Sequence, residues 1–550
     1  MSEVRTNGSA ASPAAPARDD SGVALALKKR EVRLVIGALM LGLLLAALDQ
    51  TIVSTALPTI VGDLHDSAHI AWIVTAYLLL STVSTPLWGK LGDLYGRKAF
   101  FQAAIVIFLL GSVLSGLSQS MLMLIAFRAV QGLGAGGLMV GAQAIVGDVV
   151  SPRDRGRYQG LFGAVFAVAT VVGPLMGGFL TQHASWRWVF YINVPIGAVA
   201  LAVTAAVLPS QLRKLQHVID YLGTVLLTGA ATALVLVASL GGTTYAWGSA
   251  PIIILATAGA GLIVAWALVE RRAAEPVLPL HLFSNKVFSV TSAMGFVVGF
   301  ALFGAVTFMP VFLQVAKGAD PTTSGLQLLP LMGGMLAMSI SSGMLISRFG
   351  RYKVFPIVGS ALMTVGMYLL STVGATTSSG LLYLYMVIVG LGMGGVMQVL
   401  VIAAQNAVPY EDLGVATAGA TFFRSIGGSF GTAIFGAIFA NVLVRHLTSA
   451  LHLHHAPKGL GEAVTPAALS HLTPAVHHAV ASAYASTIDV VFIVAVPVTA
   501  LAFLLSWLLP EVRLRTGVKG DVAEAPAPEA VAVAGPLSEV AVPAQAASAT

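Results

Sequence analysis

The chain contains no cysteine and few charged residues. Without cysteine it can form neither a disulfide nor a thiolate metal site, and it has no cysteine nucleophile. Only 9% of its 550 residues are charged, whereas a typical soluble domain carries roughly 25%. So few charges cannot cover the surface of a soluble protein of this length, which excludes a globular cytoplasmic enzyme and a disordered chain.

Long apolar runs dominate instead, with 57% hydrophobic residues and a mean hydropathy of +0.88. A helix needs about 20 apolar residues to cross the hydrocarbon core, and the strands of an outer-membrane barrel would be short and alternating. The runs therefore predict an all-α integral membrane protein with fourteen transmembrane helices. The predicted spans are 33–58, 70–88, 99–119, 121–147, 157–181, 188–208, 219–240, 250–269, 287–314, 323–346, 354–372, 379–407, 414–444 and 487–509.

The basic residues orient these spans. With a cytoplasmic N-terminus, 23 of the 29 Lys and Arg residues fall inside, and Arg128 and Arg424 lie within spans. The four that fall outside are Arg187, Lys317, Arg445 and Lys458. This positive-inside split predicts a multi-pass protein of the plasma (inner) membrane with both termini in the cytoplasm. The net charge of +6 therefore reflects the basic residues on the cytoplasmic side of the lipid bilayer, and we expect no nucleic-acid partner.

A short motif occurs twice. The connection after span 2 reads GKLGDLYGRK from Gly89 to Lys98, and the connection after span 10 reads GMLISRFGRYK from Gly343 to Lys353. Gly, a small polar residue and Gly-Arg recur at the same spacing, eight spans apart. This repeat predicts two six-helix halves, 31–212 and 276–510, separated by two inserted helices at 213–275, in a 6+2+6 arrangement. Repeats of this kind are typical of secondary transporters.

Three further segments have biased composition. Residues 1–30 and 511–550 are rich in Ala and Pro and are predicted to be disordered cytoplasmic tails. Residues 445–486 form the one long extracellular loop. It holds seven of the twelve histidines: His446, His452, His454, His455, His471, His477 and His478. Imidazoles ligate zinc or nickel, but we favour a loop with short amphipathic helices and predict no metal.

Four motifs together resemble the major facilitator superfamily, in its fourteen-span drug:proton antiporter branch, over residues 33–510. They are LDQTIV from Leu48 in span 1, GKLGDLYGRK from Gly89, RAVQGLG from Arg128 in span 4, and GPLMGG from Gly173 in span 5. The segment WRWVF from Trp186, together with Asn193 and Pro195, opens span 6 as in that branch. The resemblance implies the major facilitator fold and a proton-coupled exporter of hydrophobic or cationic small molecules such as antibiotics, working by alternating access.

Asp49 is the only acid that we place deep inside a span. An ionised carboxylate there must face a cavity, pair with a cation or take up a proton. The resemblance implies that an acid at this place binds the coupling proton, and Arg128 is expected to tune Asp49. The alternatives are a structural aspartate and a buried hydrogen-bonding arginine. Arg424 in the second half has the same two interpretations, a functional charge or a structural hydrogen-bonding arginine. A third is that it lies near the inner surface and extends its side chain to the water there.

The repeated motif carries the predicted cytoplasmic gate, formed by Gly89, Asp93, Gly96, Arg97 and Asp148. By resemblance, Asp93 and Arg97 hold spans 2 and 3 to the other half when the outer face is open. Asp148 is placed to pair with Arg97. The second copy of the motif has Ser347 in place of an acid, so the gate is expected to be asymmetric. Positive-inside topology alone explains the basic residues but not Asp93.

Small residues in span 5 predict a close helix contact. The resemblance identifies Gly173, Pro174, Gly177 and Gly178 as the antiporter motif and ties it to export. The substrate cavity is bounded only by polar or aromatic residues near mid-span. These candidates are Gln50, Tyr77, Gln143, Gln314, Gln398, Asn406 and Phe423.

The energy source follows from a missing motif. The chain has no GxxxxGK[ST] sequence, which argues against ATP and predicts transport driven by the proton gradient without a cofactor. Expected partners are a small-molecule substrate, protons and the bilayer, and the chain is expected to be a monomer. Alternatives are an exporter of one endogenous metabolite or lipid and a transport-inactive receptor of the same fold. A membrane enzyme is the weakest option, since the spans hold no nucleophile–base set.

Overall fold

The computed structural model describes residues 29–66, 69–208, 220–242, 244–319, 321–374, 376–450 and 474–514. Within these ranges the regular structure is helical, apart from a single β-bridge between Gly241 and Tyr245. The predicted tails lie outside the described residues, except for Lys29, Arg30 and 511–514. The prediction of an all-helical fold is confirmed.

The helices follow the predicted spans closely. The first half contains α1 (Lys29–Leu64), α2 (Ile70–Tyr95), α3 (Arg97–Leu117), α4 (Met121–Val149), α5 (Pro152–His183), a short α6 (Trp188–Tyr191) and α7 (Asn193–Val207). The inserted pair is α8 (Tyr221–Leu240) and α9 (Ala250–Glu270). The second half contains α10 (Lys286–Val311), α11 (Pro321–Leu326), α12 (Leu329–Phe349), α13 (Val354–Leu370), α14 (Ser379–Asn406), α15 (Leu413–Ala450) and α16 (Pro474–Leu508).

Eleven helices among the described residues are long and apolar enough to cross a membrane. Two shorter apolar helices, Lys286–Leu302 and Val354–Leu370, accompany them. The total of fourteen crossings, the 6+2+6 division and the cytoplasmic side of the bundle stay predictions.

Polar residues and glycines set several helix ends. Ser151 and Asp220 accept hydrogen bonds from backbone N–H groups at the starts of α5 and α8, which satisfies donors that a helix leaves free. Gly96, between α2 and α3, has a φ of 101°, and Gly350, after α12, has a φ of 71°. Both belong to the repeated motif, and glycine adopts these angles without a steric penalty. The two copies therefore share a backbone feature as well as a sequence.

Two segments are more helical than their predicted spans. α2 continues to Tyr95, so Asp93 lies on a helix and only Gly96 separates α2 from α3. The segment predicted as a loop at 445–486 is helical at both ends, because α15 extends to Ala450 and α16 begins at Pro474. His446 Nδ1 lies 3.0 Å from Thr487 Oγ1 and joins these two helices.

The other part of that segment, 451–473, lies outside the described residues. It includes four of the seven histidines: His452, His454, His455 and His471. Among the residues that the structure describes, no group of three or more potential metal ligands is present.

The predicted halves meet mainly along two helix pairs. α2 packs on α15, and α5 packs on α12. The inserted helices α8 and α9 pack on each other, and α8 also contacts α2 and α15. We call the end of the bundle that holds the α2–α3, α4–α5 and α12–α13 connections the basic end, because it carries Lys90, Arg97, Lys98, Arg155 and Arg348.

Candidate functional site

The two charges predicted inside the first half form a buried ion pair. Arg128 Nη1 donates to Asp49 Oδ2 at 2.5 Å, and the two residues are 1% and 0% exposed. Gln131 Nε2 donates to Asp49 Oδ1 at 2.8 Å, and Arg128 Nη1 also donates to Gln131 Oε1 at 2.7 Å. A charge in the membrane is costly unless it is paired and hydrogen-bonded, and both conditions are met here.

The pair is the centre of a network that joins four helices. Asn193 Nδ2, at the start of α7, donates to Asp49 Oδ1 at 3.1 Å and contacts Ser112 Oγ of α3 at 3.0 Å. Gln131 Nε2 contacts the same Ser112 oxygen at 3.1 Å. Ser112 Oγ donates to the backbone oxygen of Phe190 at 2.8 Å. The network therefore connects α1, α3, α4 and the α6–α7 break.

Tyr77 belongs to this network. Its ring centroid lies 4.2 Å from Arg128 Cζ, and its hydroxyl donates to the backbone oxygen of Ala46 at 3.2 Å. Tyr77 is 1% exposed. Asp49 is thus a paired acid in this conformation, without the exposed surface that direct contact with a cationic substrate requires.

Sequence reasoning identified Asp49 and Arg128 and assigned Tyr77 to the substrate cavity, but it gave no role to the other members of the network. Gln131 follows Arg128 by three residues, a spacing that places both on one helix face. Asn193 stands at the helix break in the span 6 motif, which is a weaker signal. Ser112 carries no signal in the sequence.

The predicted gate residues lie at the basic end and join the two halves. Asp93 Oδ1 accepts from Arg97 Nη2 at 2.6 Å. The same carboxylate accepts from the backbone N–H groups of Gly414 at 3.1 Å and Val415 at 2.9 Å. Because α15 begins at Leu413, these groups belong to its first turn, where free donors and the helix dipole favour a negative charge. We call this contact the latch.

Arg97 connects the latch to α4. Its Nη1 lies 3.1 Å from Asp148 Oδ1, the pair expected from the sequence, and donates to the backbone oxygen of Ala144 at 2.5 Å. Arg97 and Asp93 side chains are 10% and 5% exposed. The buried guanidinium therefore orients the Asp93 carboxylate towards α15. The α15 partners are backbone groups, so no side-chain pattern predicts them.

Glycines allow the latch to close. A Cβ atom added at Gly89 would lie 2.5 Å from Ala418 Cβ, and a Cβ at Gly414 would collide with the Asp93 carboxylate. Both glycines therefore let α2 and α15 approach closely.

The matching contact between α12 and α5 carries no such acid. A Cβ at Gly156 would lie 2.6 Å from the backbone oxygen of Gly343, and a Cβ at Gly160 would lie 2.9 Å from that of Ser339. Ser347 occupies the position that corresponds to Asp93. These two contacts thus share close backbone packing, but only the α2–α15 contact contains the Asp93 carboxylate.

The antiporter motif packs α5 on α1. A Cβ at Gly173 would collide with the Thr51 hydroxyl, and one at Gly177 with the Thr55 hydroxyl. Thr51 Oγ1 donates to the backbone oxygen of Ala169 at 2.9 Å. Pro174 lies within α5. Gly178 has no atom within 4 Å of an added Cβ, so it lies off the contact that the sequence assigned to all three glycines.

Comparison with known proteins identifies the family. The model of the Major Facilitator Superfamily matches residues 39–432. The chain belongs to this superfamily. An uncharacterized MFS-type transporter of Mycobacterium tuberculosis is 48% identical over 481 residues, which cover 88% of this chain and 70% of the relative. Multidrug resistance protein 3 of Bacillus subtilis is 34% identical over 498 residues, covering 89% and 97%.

A solved structure agrees with the assignment. The major facilitator proton:xylose symporter XylE superposes with a TM-score of 0.59 at 14% identity, covering 90% of this chain and 99% of that one. At this identity the likeness shows the fold alone. The chain is therefore a membrane transporter of the major facilitator superfamily and not an enzyme.

The predicted cavity residues of this transporter lie in separate regions. Gln314 Nε2 donates to Ser324 Oγ at 3.0 Å, beyond the far end of α10, whereas Asn406, at the basic end of α14, donates to the backbone oxygen of Arg513 at 3.4 Å. The other positions are Gln50, half-buried beside Asp49; Gln143 and Gln398, buried; and Phe423, half-buried against Phe283 and Phe422. Gln314 and Asn406 therefore lie near opposite ends of the bundle, and the substrate cavity stays a prediction.

The second half contains two ionisable groups within its helices, Arg424, which the sequence placed inside a span, and Asp489, which it placed near the end of one. Asp489 lies well inside α16, which begins at Pro474 and not near 487, so the expectation that Asp49 is the only acid deep inside a span is wrong. Asp489 is half-buried and its Oδ1 has no hydrogen-bond partner. Arg424 of α15 forms no hydrogen bond or ion pair with any residue in the described ranges.

Proposed function

We propose that this transporter is a proton-coupled exporter of hydrophobic small molecules, antibiotics among them. It works by alternating access in the plasma membrane, with the basic end facing the cytoplasm. The observation that carries the proposal is the Asp49–Arg128 ion pair, since an ionisable pair within the membrane is a functional site by default. The name of Multidrug resistance protein 3, a relative that aligns along 89% of this chain, supports export.

A proton at Asp49 would change the first half directly. It would neutralise the carboxylate and leave Arg128 Nη1 without its charged acceptor. Gln131 and Asn193 donate to the other oxygen of Asp49, so their hydrogen bonds would also lose a negatively charged acceptor. Because these donors come from α4 and α7 while Asp49 is on α1, one protonation would alter the packing of several helices. This is how a proton gradient can shift the equilibrium between two conformations.

The latch supplies the element that alternates. In this structure Asp93 joins α2 to α15 at the basic end through two backbone hydrogen bonds, and we take this contact as the closed state of that end. A hydrogen bond to a charged group contributes about 1.5–3 kcal/mol, and water replaces these bonds when the halves separate. The closed state is therefore stabilised by an amount that substrate and proton binding can overcome.

An exporter of one endogenous metabolite or lipid would use the same machinery. Expression in a susceptible cell, scored against many toxic compounds, separates this alternative: protection against several unrelated compounds supports a multidrug exporter. A transport-inactive receptor of the same fold has no need for an intramembrane ion pair or a latch between the halves.

The test uses the full chain in sealed vesicles with an imposed pH gradient and a fluorescent dye as cargo. We expect wild type to concentrate the dye and Asp49→Asn to lose uphill transport. Asp66→Asn is the control, because Asp66 lies in the α1–α2 connection and, among the residues that the structure describes, pairs with His69 at that surface. A fully active Asp49→Asn protein would refute the coupling role.

A further inference from the structure

Two acids face each other where the inserted helices α8 and α9 come together. Asp220 caps the start of α8, and Glu270 is the last residue of α9. A Cβ added at Gly223 would collide with Asp220 Oδ2 and would lie 2.8 Å from Glu270 Oε2. The two oxygens are therefore within about 5 Å of each other, a separation at which one negative charge strongly disfavours the other. We call these two residues the carboxyl pair.

Each member of the carboxyl pair is only half satisfied. Asp220 Oδ1 accepts from the backbone N–H of Gly223 at 2.7 Å, and Glu270 Oε1 accepts from the backbone N–H of Leu278 at 2.7 Å. The oxygens that face each other, Asp220 Oδ2 and Glu270 Oε2, are buried and have no hydrogen-bond partner among the described residues. Glu270 is 4% exposed. An unsatisfied carboxylate oxygen is costly to bury, so this arrangement favours a group that bridges the two.

The surrounding elements bring no countercharge to the carboxyl pair. Within the described ranges, neither Asp220 nor Glu270 forms an ion pair. The indole of Trp266, one turn before Glu270, lies beside its carboxylate, but Nε1 is not within hydrogen-bonding distance of it. The acidic, basic and histidine side chains at the basic end of the neighbouring elements are Arg271, Arg272, Glu275 and His281 between α9 and α10, Lys286 on α10, Lys90 and Asp93 on α2, and Glu411, Asp412 and Arg424 before and on α15.

A proton fits the carboxyl pair better than a metal ion. Mg²⁺ and Ca²⁺ take about six or more oxygen ligands, and in the described part of the chain no third carboxylate or imidazole joins the pair. One proton needs only two oxygens. It turns one carboxyl group into a donor and leaves the other as the acceptor, so a single O–H···O⁻ bond satisfies both facing oxygens. The proton comes from water, and the charge of the pair falls from about −2 to about −1.

The carboxyl pair is connected to the latch through Leu278. Glu270 accepts from its N–H, and the Leu278 side chain is 1% exposed. A Cβ added at Gly419 of α15 would lie 3.3 Å from Leu278 Cδ1. The same apolar cluster includes Val415, whose N–H donates to Asp93 in the latch. A change of charge at the pair therefore acts beside the contact that joins the two halves.

We propose that Asp220 and Glu270 form a proton-binding site, separate from Asp49, in which one proton bridges the two carboxyl groups. The bound proton joins the start of α8 to the end of α9 and holds the α9–α10 connection against α15. This gives the inserted helices a chemical role of their own beside the latch. The inference goes beyond the proposed export function and does not depend on it.

The test compares amide variants of the full chain in lipid nanodiscs. An amide at either position donates an N–H to the opposite carboxylate, as the proton would. Infrared spectra at neutral pH should show that Glu270→Gln and Asp220→Asn each lose the C=O absorption of one protonated carboxyl group per chain. Glu411→Gln removes an exposed acid at the basic end and should keep the wild-type spectrum.

Unfolding temperatures at several pH values give a second measurement. The folded pair keeps a proton that ordinary carboxyl groups of the unfolded chain release near about pH 4, so its stabilisation is present at acid pH and is lost as the pH rises. Glu270→Gln carries a permanent donor. We expect it to match wild type at about pH 5 and to unfold at a higher temperature than wild type at about pH 9, whereas Glu411→Gln should follow the wild-type curve.

Three outcomes would overturn the inference. The first is a protonated-carboxyl absorption that both amide variants keep at wild-type size. The second is a folded Glu270→Gln protein that is less stable than wild type at every pH. The third is stabilisation of wild type, but not of Glu270→Gln, by Mg²⁺ or Ca²⁺ at neutral pH, which would make the pair a cation site. None of these measurements involves transport, so such a failure is separate from a failure of the coupling role of Asp49.

Discussion

The two halves treat buried charge differently. In the first half, Asp49 and Arg128 neutralise each other at 2.5 Å inside a network from four helices. In the second half, Arg424 has no partner and Asp489 has an unpaired oxygen within the described structure. The same asymmetry appears at the basic end. Asp93 occupies one position of the repeated motif in the first half, and Ser347 occupies the equivalent position in the second half.

The two halves should therefore respond differently when a charge is removed. A paired charge holds helices in one arrangement, and a proton can release it. We therefore place the proposed conformational switch in the first half.

The largest expected effect comes from breaking the ion pair. Asp49→Asn leaves Arg128 buried without a countercharge, and removing one partner of a buried pair costs about 3–5 kcal/mol. We expect a clearly lower unfolding temperature, measured with the purified chain in lipid. The double variant Asp49→Asn with Arg128→Gln is the control, since it removes both charges and should recover most of the loss. If the single variant were as stable as wild type, the pair would not hold the first half together.

The next effect concerns the latch. Asp93→Asn replaces one acceptor oxygen with an NH₂ group that opposes a backbone donor of α15. Losing about 1.5–3 kcal/mol would shift the closed-to-open ratio by roughly tenfold to a hundredfold. Because the chain lacks cysteine, spin labels at Ala99→Cys and Glu411→Cys, both exposed at the basic end, report this opening as a longer distance.

The matched control for the latch is Ser347→Ala, at the corresponding position of the second half. It should leave the distance distribution unchanged and transport near wild type. An equal response to both variants would show that the two halves close the basic end alike, and the asymmetry would be lost.

A smaller effect should follow from filling space at the same contact. Gly414→Ala places a methyl group against the Asp93 carboxylate, and overpacking costs about 1–3 kcal/mol. Turnover should fall while substrate binding persists. Gly436→Ala on the same helix is the comparison, because an added Cβ there meets no atom within 4 Å. Equal turnover of the two variants would contradict the close contact.

The smallest effect is expected at Asp489. The Asp489 carboxylate is half-buried and one of its oxygens lacks a hydrogen bond to any described residue. Neutralising it removes the cost of desolvating a charge and breaks no ion pair. Asp489→Asn should therefore unfold at the wild-type temperature or slightly above it. A loss as large as that of Asp49→Asn would mean that Asp489 has an essential partner, and the contrast between the halves would fail.

The sequence predicts side-chain features of this molecule better than contacts to the backbone. Apolar runs and the repeated motif place most helices, since hydropathy and glycine are local properties. Asp49 and Arg128 are evident because charge is rare in a span. The partners of Asp93 are backbone N–H groups of Gly414 and Val415, which every sequence possesses, so only the packing of α2 on α15 reveals them.

The ends of the helices were harder to predict than their central turns. α16 begins before the apolar run, with His and Ser among its first residues, so the sequence placed Asp489 at a helix end and the structure places it well inside. The cavity residues were chosen by depth and polarity alone. Tyr77 satisfies both criteria but turns towards Arg128, because a cation–π contact and a hydrogen bond to Ala46 hold it there.

The central claim is that cargo and protons move in opposite directions through a cycle that requires Asp49. The most direct measurement places the full chain in sealed vesicles with a trapped pH indicator and adds a transported dye with no imposed gradient. Wild type should move protons against the direction of dye entry, and Asp49→Asn should move none. Dye-driven proton movement of wild-type size in Asp49→Asn would contradict the account.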